Sequence, residues 1–313
     1  MQSAAAASEL WVTGRGAINP WDCDQWGHMN VQFYLAKASD AQAVLAARLG
    51  LSPSRVRAAG CRPLPVADRI LFKRELLAGD IYFVRSGVRS ISAQGTLDIA
   101  SRMVNAQTGV EAAAFETRLA WADADGATAL AWPDDVLAGA QAAAGELPDA
   151  PPPQQPVVAP PAATFDAQAL LLTYRGSVES WECDVQGIAA PCAHIARFAE
   201  CANHLFRAMA MSKGELRSRG IGSAALDYDI VYRRPMRVGQ AVEVRSGLLN
   251  AGDKVFHFFH HLVDSGTGET ITSIVVAAVF FDLVARKSVP LPEFARHAAQ
   301  RLIHALPPTA PSR

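Results

Sequence analysis

The chain repeats itself once. Leu10, Thr13, Arg15-Gly16, Trp21, Cys23-Asp24 and Gly27 recur 160 residues later as Leu170, Thr173, Arg175-Gly176, Trp181, Cys183-Asp184 and Gly187. The same spacing joins Ile70 to Ile230, Arg74 to Arg234, Gly79 to Gly239, and Val84-Arg85-Ser86-Gly87 to Val244-Arg245-Ser246-Gly247. One residue is then lost, so that Thr108-Gly109 matches Thr267-Gly268. One register held over such a length means a duplicated domain of about half the chain, not a solenoid of short units. Whatever one half folds into, the other must fold into as well.

The bulk numbers narrow the class. A chain of 313 residues holds two ordinary domains, and half of it is apolar, which supplies a core. Its 29 basic and 30 acidic residues leave a net charge of −1, so nothing electrostatic favours nucleic acid or an anionic membrane as partner. Five cysteines without regular spacing do not form a disulfide framework and suit reduced thiols in a cytoplasmic protein. Met1 to Leu10 lacks the basic and apolar regions of a signal peptide. The longest apolar run, Ile274 to Val284, is broken by Asp282 and is too short for a bilayer; it suits a buried strand. Between the copies, Gly139 to Ala163 is rich in Ala, Pro, Gln and Gly and is expected to be an extended linker. The expected division is residues 8–138 and 164–300 as domains, with residues 139–163 between them.

Each half shows one order of elements. Leu10 to Asn19 is expected to be a strand. Val31 to Leu49 carries apolar residues at helical spacing, with Asn30 placed to cap its start and Gly50 to end it. Ser52-Pro53 marks a turn, and strands are expected at Val66–Glu75, Ile81–Ile91, Leu97–Asn105 and Val110–Ala122, separated by Gly79-Asp80, Gly95 and Thr108-Gly109. The second half repeats this with a strand at Thr173–Trp181, a helix at Ala193–Met211 and strands at Ala224–Arg233, Ala241–Leu249, Lys254–Asp264 and Thr270–Leu283. One strand, one long helix and a meander predict an α+β fold in which an antiparallel sheet wraps a single helix. Pairing the two copies edge to edge would cover their open sheet edges.

The chemistry concentrates where the first strand meets the helix. Trp21-Asp22-Cys23-Asp24-Gln25-Trp26-Gly27-His28-Met29-Asn30 brings carboxylates, a glycine, a histidine and an asparagine to a helix N-terminus; the second copy reads Trp181-Glu182-Cys183-Asp184-Val185-Gln186-Gly187-Ile188. A helix N-terminus offers unpaired N–H groups and partial positive charge, and glycine admits a close approach to backbone. Such a site can hold an oxyanion while Asp24 or Asp184 attacks a carbonyl or activates water. The chain has no Gly-x-Ser-x-Gly elbow, no phosphate-binding P-loop and no dinucleotide fingerprint.

This junction resembles that of the hotdog-fold acyl-CoA thioesterases of the 4-hydroxybenzoyl-CoA thioesterase type, whose motif is Asp-x-Asp-x-x-Gly-His-x-Asn-Asn with a catalytic second Asp. Asp22, Asp24, Gly27, His28 and Asn30 match it, while Val31 stands for the final Asn. Copy 2 matches through Asp184 and Gly187, with Glu182, Ile188 and Ala190 in place of Asp, His and Asn. The resemblance implies two tandem hotdog domains paired as an intramolecular pseudo-dimer. It implies hydrolysis of an acyl-CoA to free acid and CoA, with Asp24 and Asp184 in two related pockets, helix N-terminal N–H groups around Gly27 and His28 as the oxyanion hole, and no metal or redox cofactor. A homodimer of such pseudo-dimers is compatible with it.

Other assignments stand beside these. Asp22 is expected to be a hydrogen-bonding turn residue, and Trp21 and Trp181 to pack in the core. Cys23 and Cys183 suit small buried side chains better than nucleophiles. Lys73, Arg74, Arg233 and Arg234, at matching strand ends, are candidates for the phosphates of coenzyme A, against the plainer role of solvated strand ends. His257, His260 and His261 do not share one strand face and lack completing ligands, which argues against a metal. Two alternatives to the thioesterase are a hotdog enoyl-CoA hydratase and a non-catalytic module binding acyl-CoA or an acyl carrier.

Overall fold

A computed structural model describes residues 11–91, 95–144 and 170–303. The chain forms two compact units that divide at Gln154 and Gln155. The first contains β1 (Trp11–Ala17), a 3-10 turn (Pro20–Asp22), α1 (Val31–Arg48), α2 (Pro53–Ala59), β2 (Cys61–Phe72), β3 (Ile81–Ile91), β4 (Leu97–Asn105), β5 (Glu111–Asp123), β6 (Ala129–Leu130) and α3 (Asp134–Ala143). Its strands pair antiparallel in the order β1-β3-β4-β5-β2, with β6 on the far end of β5.

The second unit repeats it: β7 (Leu171–Ser177), a 3-10 turn (Ser180–Glu182), α4 (Pro191–Ala208), α5 (Lys213–Ser218), β8 (Ile221–Tyr232), β9 (Ala241–Ala251), β10 (Val255–Asp264), β11 (Thr270–Asp282), β12 (Ser288–Val289) and α6 (Glu293–Gln300). The order is β7-β9-β10-β11-β8, antiparallel, with β12 on β11. Even the irregularity of the first strand is copied. The register slips between Val12 and Gly14 in one unit and between Leu172 and Tyr174 in the other. At that slip Thr13 Oγ1 donates to Ser86 Oγ (2.9 Å), and Thr173 Oγ1 meets Ser246 Oγ (2.6 Å).

The long helix of each unit packs on its sheet through the stripe its spacing dictates. Tyr34, Leu35, Ala38, Ala41 and Leu45 are the buried face of α1. Asn30 caps it, its side-chain oxygen accepting the Gln32 N–H at 3.1 Å. β1 crosses the helix closely because Gly14 is small: a Cβ there would lie 3.3 Å from that of Ala41. In the second unit Phe206 on α4 meets Phe256, Phe258 and Phe280 edge-on, and Phe256 stacks on Phe280 at 4.7 Å.

Three expectations need correction. The long helix is not alone in either unit, since α2 and α5 follow it and α3 and α6 close the units. Ser52, read only as part of a turn, caps α2 by accepting the Arg55 N–H. Second, α3 runs to Ala143 and buries Val136 and Ala140, so the first residues of the expected linker belong to a packed helix; residues 145–163 lie outside the described residues. Third, β2 starts at Cys61 although Pro63 and Pro65 lack N–H donors, and a bulge between Pro65 and Ala67 accommodates them. Among the described residues no helix is long and apolar enough to cross a membrane.

Candidate active site

The motif folds into a small hairpin ahead of the helix. Cys23 and Met29 bridge antiparallel, the Asp24 N–H donates to the His28 carbonyl (2.8 Å), and the Gly27 N–H donates to the Asp24 carbonyl (3.0 Å). Gly27 closes the tip at φ +82°, a left-handed conformation that glycine adopts without strain. The hairpin docks on the loop after β2, where the Met29 N–H donates to the Leu76 carbonyl at 2.7 Å.

Gly27 therefore lies at the hairpin tip and not on the helix, and its N–H is already used. Two other N–H groups, those of His28 and of Val31 at the first helical position, make no hydrogen bond among the described residues. Asp24 is half-buried. Its Oδ1 accepts the Trp26 N–H at 2.8 Å, and its Oδ2 has no protein partner among the described residues.

The His28 ring points to an acid that sequence spacing did not single out. His28 Nε2 lies 3.5 Å from Glu75 Oε2, and both side chains keep partial contact with solvent. Glu75 was legible in one way only. The 160-residue register pairs His28 with Ile188 and Glu75 with Pro235, so both members of the pair vanish together in the second copy.

The second copy keeps the hairpin and lacks these features. The Asp184 N–H donates to the Ile188 carbonyl (2.9 Å), the Gly187 N–H to the Asp184 carbonyl (2.9 Å), and Gly187 has φ +76°. Asp184 is exposed, however, and its Oδ1 accepts two N–H groups, from Gln186 (3.0 Å) and Ile188 (3.1 Å). Ile188 is buried, and the first helical position is Pro191, which has no N–H.

Asp22 does the work of a turn acid. Its Oδ2 accepts the Asn19 N–H (3.0 Å) and faces Lys37 Nζ (3.0 Å). Glu182 does the same with the Glu179 N–H (2.9 Å) and, bidentate, with Arg197 (2.8 and 2.7 Å). Burial alone would raise the Glu182 carboxyl; the Arg197 guanidinium and the Glu179 N–H outweigh it and hold the group below the usual carboxylate range. The tryptophans overturn the expectation of core packing. Trp21 is 74% exposed and Trp181 80%, because the 3-10 turns that carry them turn those side chains outward. Cys23 and Cys183 sit half-buried with their thiols near the Asn19 and Glu179 carbonyls; burial pushes both thiols up, away from nucleophilic thiolate.

The basic strand ends differ among themselves. Lys73 pairs with Glu111 (2.8 Å) and Arg234 with Glu269. Arg233 donates its backbone N–H to the Ile271 carbonyl. Among the described residues the Arg74 guanidinium meets no carboxylate and donates only to the Lys73 carbonyl (3.1 Å). Of the three histidines on β10, His260 meets Ser246 Oγ through Nδ1 (2.6 Å), His261 meets Ser273 Oγ (2.8 Å) and His257 meets Asn250 (3.1 Å).

A family profile described as the thioesterase-like superfamily matches residues 18–140 and again residues 178–299. The chain therefore belongs to the thioesterase-like superfamily, once in each half, and its class is that of a thioester hydrolase built from two hotdog units. Solved structures share the fold at low identity. A Lactobacillus plantarum protein provisionally assigned as an oleoyl thioesterase superposes with a TM-score of 0.67 at 13% identity, over 92% of this chain and 99% of that one. The 12:0-ACP thioesterase of Umbellularia californica gives 0.63 at 10% identity, over 85% and 93%. An acyl-ACP thioesterase of Bacteroides thetaiotaomicron gives 0.61 at 12% identity, over 85% and 96%. A comparison with curated proteins finds no match.

Proposed function

We propose that the chain hydrolyses an acyl-CoA thioester to the free acid and coenzyme A, with Asp24 as the reacting carboxylate. The observation that carries this is the state of Asp24: half-buried, anchored through Oδ1 to the Trp26 N–H, with Oδ2 left for a substrate carbonyl or a water. The N–H groups of His28 and Val31 support an oxyanion site beside it, since donors not committed to the protein are what a developing negative charge needs. Val31 opens α1, so its N–H adds the positive end of the helix dipole. Arg74 is the basic strand-end residue best placed in charge terms for a phosphate, because Lys73 and Arg234 are neutralised by Glu111 and Glu269.

The test is thiol release from a panel of acyl-CoAs, short, long, branched and aromatic, run beside the same acyl groups on an acyl carrier protein. Wild type is expected to release thiol from acyl-CoA, and Asp24→Asn to lower kcat by ~10² or more with KM little changed. Cleavage only of the carrier-protein thioesters would reassign the substrate. Tight acyl-CoA binding without turnover would make the chain a binding module. A 3-hydroxyacyl-CoA product without free thiol would make it a hydratase.

A further inference from the structure

We infer that Glu75 and His28 form the base that clears an acylated Asp24, and that their loss from the second unit leaves the chain with one turning-over site; this rests on the thioesterase reading above.

The duplicated fold acts as an internal control. The same hairpin, bridge and helix form in both units, so nothing in them requires a histidine at position 28 or an acid at position 75: the second unit folds with Ile188 and Pro235 there. A polar pair that the fold does without, held 3.5 Å apart and reachable by solvent beside the reacting carboxylate, is free to serve chemistry. Three matched positions change in one direction. The second unit loses the His28–Glu75 pair, loses the Val31 N–H to Pro191, and ties up the Ile188 N–H on Asp184.

The chemistry gives the pair a task. Asp24 Oδ2 attacks the thioester carbon and the C–S bond breaks; the thiolate leaves and takes a proton from solvent. The product is a mixed anhydride on Asp24, whose carboxylate is then no longer available as a base. A water must next attack the acyl carbon, and its proton passes to His28. The new C–O bond forms, the bond from the acyl carbon to Asp24 breaks, and the carboxylate is restored with the free acid. Glu75 orients the ring and stabilises the imidazolium until that proton returns to solvent. Glu75 is a positioning residue in this scheme, because it acts through His28. In the second unit an acyl group on Asp184 would have no such base, and the two donors that would help form it are absent.

The experiment is pre-steady-state thiol release, using the acyl-CoA that wild type cleaves fastest. Glu75→Gln and His28→Gln are expected to keep a burst of one thiol per chain while the later steady rate falls by roughly tenfold to a hundredfold. The double variant should fall no further than His28→Gln alone, since Glu75 acts only through the ring. Thermal midpoints close to wild type, as the Ile188/Pro235 unit leads one to expect, separate this from misfolding. A structural role for Glu75 would reduce burst and steady rate together and would overturn the inference. So would an unchanged rate in Glu75→Gln, a slowed rate without a burst, or a burst of two thiols per chain; in those cases loss of activity in Asp24→Asn would leave the thioesterase reading standing. Absence of thiol release by wild type would remove both.

Discussion

Lys37 Nζ stands 3.0 Å from Asp22 Oδ2, and at the equivalent place in the second unit Arg197 grips Glu182 with both nitrogens. An aromatic ring covers each cation: Tyr82 lies 5.5 Å from Lys37, and Tyr174 lies 5.7 Å from Arg197. The ring comes from β3 in one unit and β7 in the other, and it passes over Gly16 or Gly176, where a Cβ would strike the tyrosine hydroxyl within 2.8 or 2.5 Å. The acid, cation and ring are kept as types while their identities change. They hold the 3-10 turn against the helix, so the first acid of the motif belongs to the scaffold. Removing it strands a buried cation. Glu182→Ala should cost about 3–5 kcal/mol in chemical denaturation, as for other broken buried pairs. Replacing the Asp22–Lys37 pair by Glu and Arg together, the second unit's own solution, should cost far less than Asp22→Ala.

The outward tryptophans predict the opposite result. Trp21→Ala and Trp181→Ala should each change stability by no more than about 0.5 kcal/mol, as expected for exposed positions away from caps and cores. A loss of several kcal/mol in thermal melts would mean that these rings are packed after all.

The sequence was most legible where local punctuation and burial agree. β3 and β4 match their expected bounds because Gly79-Asp80 and Thr108-Gly109 frame them, and α1 follows its apolar stripe from the Asn30 cap. The Ala-rich helix α3 was hidden because its residues have the composition of the linker that follows, and only burial of Val136 and Ala140 marks it as packed. The orientation of Trp21 depends on a 3-10 turn set by Asp22 and Lys37, which spacing does not reveal. Asp24, Gly27 and His28 were legible as a cluster, but which N–H groups are already spent is a matter of hairpin geometry. Glu75 is remote in sequence from His28 and was visible only as a paired loss between the copies.

The hairpin tips should respond unequally to the same substitution. Gly27→Ala meets open space and suffers only left-handed strain, about 1–2 kcal/mol. Gly187→Ala adds a clash, because its Cβ would lie 2.9 Å from Val238 Cγ1. Val238 occupies the place of Ala78, so pairing Gly187→Ala with Val238→Ala should bring the cost back toward that of Gly27→Ala. Denaturant midpoints of the four variants test this, and equal costs for the two single variants would show that Val238 yields freely.

Acid should weaken the second unit through histidines the first does not have. Burial holds His260 down to about 3, helped by His261, and holds His261 down to about 4, helped by Arg233; burial and then Arg197 hold His194 down to about 3. Their places in the first unit are taken by Ser101, Arg102 and Tyr34. A histidine that stays neutral in the native state still binds a proton when unfolded, below about pH 6.5. Its contribution is therefore fully present above that pH and is lost progressively as pH falls toward the native value, because the unfolded state takes up more protons. His260→Ser tests this directly, since Ser101 fills the equivalent place and meets Ser86 at 2.7 Å as His260 meets Ser246 at 2.6 Å. Measured by denaturant unfolding from pH 7 to pH 4.5, the variant should show a shallower loss of stability by about one proton's worth of slope, about 1.4 kcal/mol per pH unit. An unchanged slope would mean that His260 already carries its proton in the folded chain.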